Sequence, residues 1–150
     1  MYPRTLTIDD IEALALGAWI LGTGGGGSPY HRLLNMRELY RAGHEVTLID
    51  PMSLANDALV AVLSNMGAPL VGQERLSDPA FATKTVRTME RYLGRTFDAV
   101  MSLEIGGGNG VHPLMVAAVT GYPVVDADTM GRAYPEAQMT SVAVANLQCY

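Results

Sequence analysis

A glutamate stands near the end of the apolar run 97–105, which leads straight into Gly106-Gly107-Gly108-Asn109-Gly110-Val111-His112-Pro113. A carboxylate at a strand end, then bare backbone, then an amide and an imidazole could hold a small polar molecule and move a proton. Glu104 fits a general base or a metal ligand. Asn109 and His112 fit substrate contacts, with His112 a ligand or proton shuttle. The plainer alternatives are that Glu104 caps a neighbouring helix and that His112 is exposed before Pro113. A charged residue ending an apolar strand needs a partner, which favours a function for Glu104. Asp126 and Asp128, two apart after Val124-Val125, are the other catalytic candidates. In extended backbone they point to opposite faces, so one is expected at the rim and the other capping the next segment. With Glu104 they would supply an acid/base pair or an oxygen-rich site for a divalent metal. No HExxH, CxxC or His-x-His is present, so no zinc motif stands behind the metal reading.

A second glycine cluster, Gly22-Thr23-Gly24-Gly25-Gly26-Gly27-Ser28-Pro29, lies earlier in the chain. It is not a P-loop, because no Gly-Lys-Ser/Thr comes after it. Gly22-x-Gly24-x-x-Gly27 has the letters of a dinucleotide fingerprint, but a helix precedes it where a strand is needed. The N–H groups of Gly24, Gly25, Gly26, Gly27 and Ser28 at a helix N-terminus could hold a carboxylate, a phosphate or a developing oxyanion. The structural alternative is a tight helix–helix connection packed against the sheet. Asn65, after Ser64 at the end of the apolar run 58–63, is a candidate hydrogen-bond donor to substrate. Ser64 lacks the Gly-x-Ser-x-Gly surroundings of an activated serine.

The elements that must position these groups can be read from caps and periodicity. Thr7 reads as an N-cap, with Asp9 and Asp10 in the first turn. The helix it starts is apolar around most of its circumference, which predicts burial, and Gly22 is the expected residue just past its end. Ser28-Pro29 predicts the cap and first residue of a second helix. Its apolar face is Leu33, Met36, Leu39 and Tyr40, with Arg32, Arg37, Glu38 and Arg41 directed elsewhere. Strands are expected at 45–49, 58–63, 97–105 and 123–125, that at 58–63 buried on both faces. Asp78-Pro79 opens a helix that Gly94 stops, and a short helix runs from the second glycine cluster up to Gly121. The alternation predicts an α/β fold: a mostly parallel sheet built from βαβ units, flanked by helices, with an N-terminal helix–Gly-loop–helix. Ligands collect outside the carboxyl ends of such strands. The loops 64–69, 104–113 and 126–132 should therefore share one rim.

Composition sets the bounds. With 49% hydrophobic and 17% charged residues, positions 1–150 suit a single α/β domain with a real core. The net charge is −5 and the basic residues are scattered, so neither nucleic acid nor a membrane is an expected partner. Arg87, Arg91 and Arg95 repeat every four residues, as on the solvated face of a helix. The apolar run 11–21 is too short to span a bilayer. Cys149 is the single cysteine, which allows no intrachain disulfide, and no signal-peptide pattern is seen; a reduced, cytoplasmic setting is expected. The apolar residues near the C-terminus predict that the polypeptide continues or that a partner covers this end.

Several blocks together carry a resemblance. Trp19-Ile20-Leu21-Gly22-Thr23-Gly24-Gly25-Gly26-Gly27-Ser28-Pro29-Tyr30 resembles the opening signature of the proteins once grouped as DUF917, now associated with S-methyl thiohydantoin desulfurase and described as hydantoinase-like. The likeness extends through Leu48-Ile49-Asp50-Pro51, Ser64-Asn65-Met66-Gly67-Ala68-Pro69 and Met101-Ser102-Leu103-Glu104-Ile105-Gly106-Gly107. It continues in Val124-Val125-Asp126-Ala127-Asp128-Thr129-Met130-Gly131-Arg132-Ala133 and Pro135-Glu136. It implies the N-terminal domain of a longer two-domain family, with the C-terminal domain absent from this chain. It also implies a small-molecule substrate and hydrolysis at a cyclic amide ring, a thiohydantoin being the named case. By position, Glu104 or an aspartate would be the base and the amides of Gly24 to Ser28 the oxyanion donors. Three readings stay open: part of such an enzyme, a module that binds a small anion or nucleotide without chemistry, and a structural subunit that needs a partner. The partner would be a second copy, giving a homo-oligomer, or the missing C-terminal domain.

Overall fold

The computed structural model of the chain describes residues 2–67, 74 and 78–147. Ala68 and Pro69 of the first rim loop, and Cys149, lie outside the described residues. Five strands form one sheet: β1 (Arg4–Thr5), β2 (Thr47–Ile49), β3 (Val60–Leu63), β4 (Ala99–Ser102) and β5 (Val124–Val125). Their order is β1-β2-β5-β4-β3. The last four in that order run parallel, and β1 pairs antiparallel with β2. The α/β class and mostly parallel sheet are those expected from the alternation of strands and helices. The two-residue β1 is too short to show any periodicity and was not expected.

Local chemistry explains the helices. Helix α1 (Ile8–Gly22) starts with a reciprocal cap: Thr7 Oγ1 accepts from Asp10 N at 3.2 Å, and the Asp10 carboxylate accepts from Thr7 N at 2.9 Å. Helix α2 (Tyr30–Arg41) begins one residue later than the Ser28-Pro29 pair suggests, with Ser28 Oγ accepting from Tyr30 N at 3.2 Å. Helix α3 (Pro79–Leu93) has Asp78 as its cap and Gly94, at φ +65°, as its stop. Helix α4 (His112–Thr120) comes after a 3₁₀ turn, Gly107–Gly110, and ends at Gly121. A single turn, α5 (Ser141–Val144), closes the described chain.

Helix α4 is the hub of the core. From His112 to Ala118 every residue is buried, and the helix packs on α2, α3, β4 and β5. Ile11 of α1, Met36 of α2, Val86 of α3 and Val100 of β4 join Leu114, Met115 and Val116 in one apolar cluster. The buried carboxylate of Glu90 fastens α3 to its surroundings, accepting from Phe97 N at 3.1 Å, from the Tyr122 hydroxyl and from Arg87 Nη1 at 2.9 Å. Burial pushes this carboxyl up, but the hydrogen bonds from Tyr122, Phe97 and Arg87 outweigh it and hold it below its ordinary value.

Three local expectations are corrected. The run 58–63 is not buried on both faces, because β3 is the edge of the sheet and Val62 is 44% exposed. Helix α1 is not buried all round: Ile11, Ala15 and Ala18 face the core, whereas Leu16, Trp19 and Ile20 are exposed. Gly22 does not sit past the end of α1. Thr23 takes the left-handed position at φ +46°, and Gly22 stays inside the helix, where its bare backbone lies against that of Gly107.

Candidate functional site

The two glycine clusters meet. Gly108 N donates to Gly27 O at 2.8 Å. A Cβ on Gly107 would lie 2.4 Å from Gly25 O, one on Gly26 2.4 Å from Gly106 O, and one on Gly22 2.7 Å from Gly107 N. No side chain fits between the segments, so backbone lies directly on backbone. Gly24, Gly26, Gly27 and Gly107 also have positive φ. Close approach of two chain segments is therefore an observed use of these glycines. The structure pairs them with each other, a relation that neither cluster reveals when read alone.

Polar side chains are buried beneath this contact. Glu104 ends the stretch after β4, and its Oε1 accepts from Asn109 Nδ2 at 2.6 Å, so it does not act as a helix cap. Asn109 Nδ2 also donates to Asn65 O at 3.3 Å, while Asn65 N donates to Asn109 Oδ1 at 2.9 Å. Asn65 thus takes part through its backbone, and the residue is otherwise exposed. Ser102 Oγ donates to Asn109 O at 3.1 Å and to Glu104 O. His112, at the start of α4, is buried rather than exposed before Pro113. Burial first, and the Arg32 charge second, lower its pKa from 6.5 to about 4, so the imidazole is neutral at pH 7.

Arg32 is the residue that reading the sequence misses. The helical pattern directs it away from the apolar face of α2, yet it is about nine-tenths buried. A Cβ on Gly108 would lie 1.8 Å from its Nη1. It forms no ion pair with a described carboxylate, since none of the five salt bridges includes it. Burial depresses its pKa. Its spacing to the fully buried Met36 is four residues, which is the one signal that places it on the inner face. Arg32 Nε, Glu104 Oε2 and His112 Nδ1 are buried and make no hydrogen bond. Three such atoms around one contact are unusual in a folded protein.

The two aspartates take different partners, although the strand ends at Val125 and the backbone turns at Asp126, with Ala127 N donating to Val125 O at 2.8 Å. Asp126 is exposed and accepts from the Tyr2 hydroxyl, while its own N donates to Ile49 O at 2.9 Å, on the β2 side. Asp128 lies on the β4 side, where its Oδ2 accepts from Ile105 N and from Gly131 N, each at 2.8 Å. Its Oδ1 accepts nothing from any described residue. Asp128 lines an open groove of about 350 Å3 with Thr129, Met130, Tyr134, Met139 and Ser141. Among the described residues no group of three or more His, Cys, Asp or Glu side chains is placed to hold a metal ion. A larger depression of about 830 Å3 lies along α3 and the turn before β4, at the other end of the strands. No described helix is long and apolar enough to cross a membrane.

The fold and rim define a parallel α/β domain with its buried carboxylate and its open groove at the carboxyl ends of the strands. The chain belongs to the S-Me-THD-like family: the model of that family's N-terminal domain matches residues 9–150. It is similar to the crystal structure of a protein from Chromobacterium violaceum, with 29% identity and a TM-score of 0.72. The match takes in 95% of this chain and 40% of that one, so this chain spans well under half the length of its structural relative. No curated protein matches the sequence.

Proposed function

We propose that this domain supplies the strand-end part of the active site of a hydrolase acting on a small cyclic amide ring of the thiohydantoin or hydantoin kind. The observation that carries the reading is Asp128. Two backbone amides fix one oxygen of its carboxylate, no described residue donates to the other, and the residue lines the rim groove. A carboxylate held in this way suits a general base that takes a proton from water as the water adds to a ring carbon. Glu104 would be the second acid/base group, one residue before the amide that holds Asp128, with Oε2 unpaired. Of the glycine-loop amides, Gly25 N is committed to Gly22 O at 2.7 Å, and those of Gly24, Gly26, Gly27 and Ser28, ahead of α2, would face the developing negative charge. Asp126, paired with Tyr2, has no part in this scheme. Membership of the S-Me-THD-like family favours the same class of ring.

The test is made in a polypeptide that carries this domain together with its C-terminal domain. Asp128→Asn and Glu104→Gln are compared with the parent in hydrolysis of thiohydantoins and hydantoins. Asp128→Asn is expected to lower kcat by about 100-fold or more with circular dichroism unchanged. Unaltered turnover in both variants would remove the proposed chemistry.

A further inference from the structure

Helix α1 carries an apolar stripe that no described residue covers. Leu16, Trp19 and Ile20 are 66%, 55% and 75% exposed, and their i, i+3, i+4 spacing puts them on one face. Single exposed apolar residues are ordinary, but a contiguous group with a tryptophan marks a contact surface. The stripe does not stop at the helix end. Ala133 N donates to Leu21 O at 3.4 Å, Arg132 Nη2 donates to Thr23 Oγ1 at 3.3 Å, and the Arg132 guanidinium lies over the ring of Tyr134. Tyr134 in turn lines the rim groove. The exposed stripe and the open side of the groove are therefore joined through the segment 132–134.

We infer that this surface is the seat of the family's C-terminal domain, which rests an apolar patch on Leu16, Trp19 and Ile20 and thereby closes the rim groove. Two findings favour that occupant. The matching family model describes an N-terminal domain, and the match takes in only 40% of the structural relative's chain, the rest lying outside it. The size of the surface also decides. Three side chains on one helix, with Leu21 and Tyr134 beside them, are few for a free dimer, which needs roughly 800 Å² from each partner. A domain in the same polypeptide has an effective concentration of about millimolar, and a smaller and more polar contact holds it. Sites that lie between domains are common for small-molecule enzymes. The groove is completed in this way whichever ring is bound there.

Thiol labelling tests it without any assay of turnover. Ile20→Cys, made in a Cys149→Ser background, is reacted with a maleimide in this chain alone and in the polypeptide joined to its C-terminal domain. Glu38→Cys, on the exposed face of α2, serves as control. Expected is labelling of Ile20→Cys at least tenfold slower in the joined polypeptide, with Glu38→Cys unchanged. Equal rates for Ile20→Cys would overturn the inference. Protection that appears in this chain alone and grows with its concentration would also overturn it, because the occupant would then be a second copy. Unaltered turnover in the Asp128 and Glu104 variants would sink the proposed chemistry and leave this labelling result untouched, so the two readings fail separately.

Discussion

The side-chain amide of Asn109 donates to Glu104 Oε1 at 2.6 Å and at the same time pairs with the backbone of Asn65 in both directions. Both amide protons and the carbonyl oxygen are thus used. One side chain joins the turn after β4 to the end of β3 and occupies one oxygen of a buried carboxylate. Asn109→Ala leaves Asn65 N and the buried Glu104 Oε1 without that partner. The expected loss is about 2–4 kcal/mol, the range for orphaning a buried polar group that includes a charge. Urea denaturation of the two proteins checks it, and a loss under about 0.5 kcal/mol would show that water replaces the amide freely.

Two glycines of α1 should respond to alanine with opposite signs. Gly22 meets Gly107 N at 2.7 Å from where its Cβ would be, and both atoms belong to backbone held on two sides. Gly22→Ala must push the glycine segments apart, and a loss of about 3 kcal/mol or more is expected, from overpacking together with broken loop contacts. Gly17 lies in the same helix with nothing within 4 Å of its Cβ position. Gly17→Ala is expected to add about 0.5–1 kcal/mol, because glycine is the poorer helix former. Thermal midpoints of the pair give the answer, and matching shifts would contradict the contact argument.

The ends of elements were legible in the sequence where a residue acts on its own neighbours. Thr7, Asp78 with Pro79, Gly94 and Gly121 each cap or stop a helix through bonds within a few residues, and all four do so. What lay out of reach is long-range. The edge position of β3 is a matter of strand order, which an apolar run cannot state. Gly22 looks like a helix stop because a terminal glycine normally is one, but its partner, Gly107, is far along the chain. Arg32 was placed off the apolar face of α2, and only its alignment with Met36 argued otherwise. Asp126 and Asp128 do find different partners, but strand alternation is not the cause, because β5 ends at Val125 and a turn with Ala127 N donating to Val125 O at 2.8 Å comes next.

His112 makes stability depend on pH in a defined window. Its pKa is about 4 in the folded chain and ordinarily 6.5, so the folded form stays neutral where the unfolded chain takes up a proton. Above pH 6.5 neither state is protonated there and the full stability is present. As pH falls from 6.5 towards 4 the unfolded state binds the extra proton and stability drains away, by up to about 3 kcal/mol. Below about pH 4 the folded imidazole protonates as well and the loss levels off. His112→Gln removes the titrating group and is expected to flatten this part of the profile. Urea midpoints at pH 7 and pH 5 measure it: the gap should shrink in the variant, and an equal gap would place the titration elsewhere.

Arg32 offers a test of whether the fold retains this buried charge at a cost. A guanidinium nine-tenths buried, with no described carboxylate partner and its Nε unpaired, carries a desolvation penalty of several kcal/mol. Its depressed pKa has burial as the cause. Arg32→Met keeps much of the side-chain length, removes the charge and the unpaired Nε, and fits a flexible chain into the same space. The expected result is equal or greater stability, by up to about 4 kcal/mol, the scale seen when buried ionic groups are replaced by apolar ones. The same change takes away the positive charge that helps keep His112 neutral, so the imidazole pKa should rise from about 4 towards its ordinary value. Urea denaturation at pH 7 reads the first effect, and the difference between urea midpoints at pH 7 and pH 5 reads the second. A variant that is markedly less stable at pH 7 would mean that the guanidinium holds the glycine segments together. One that is as stable or more so would mean that burying it serves something other than folding, which is the usual sign of a residue kept for binding or chemistry.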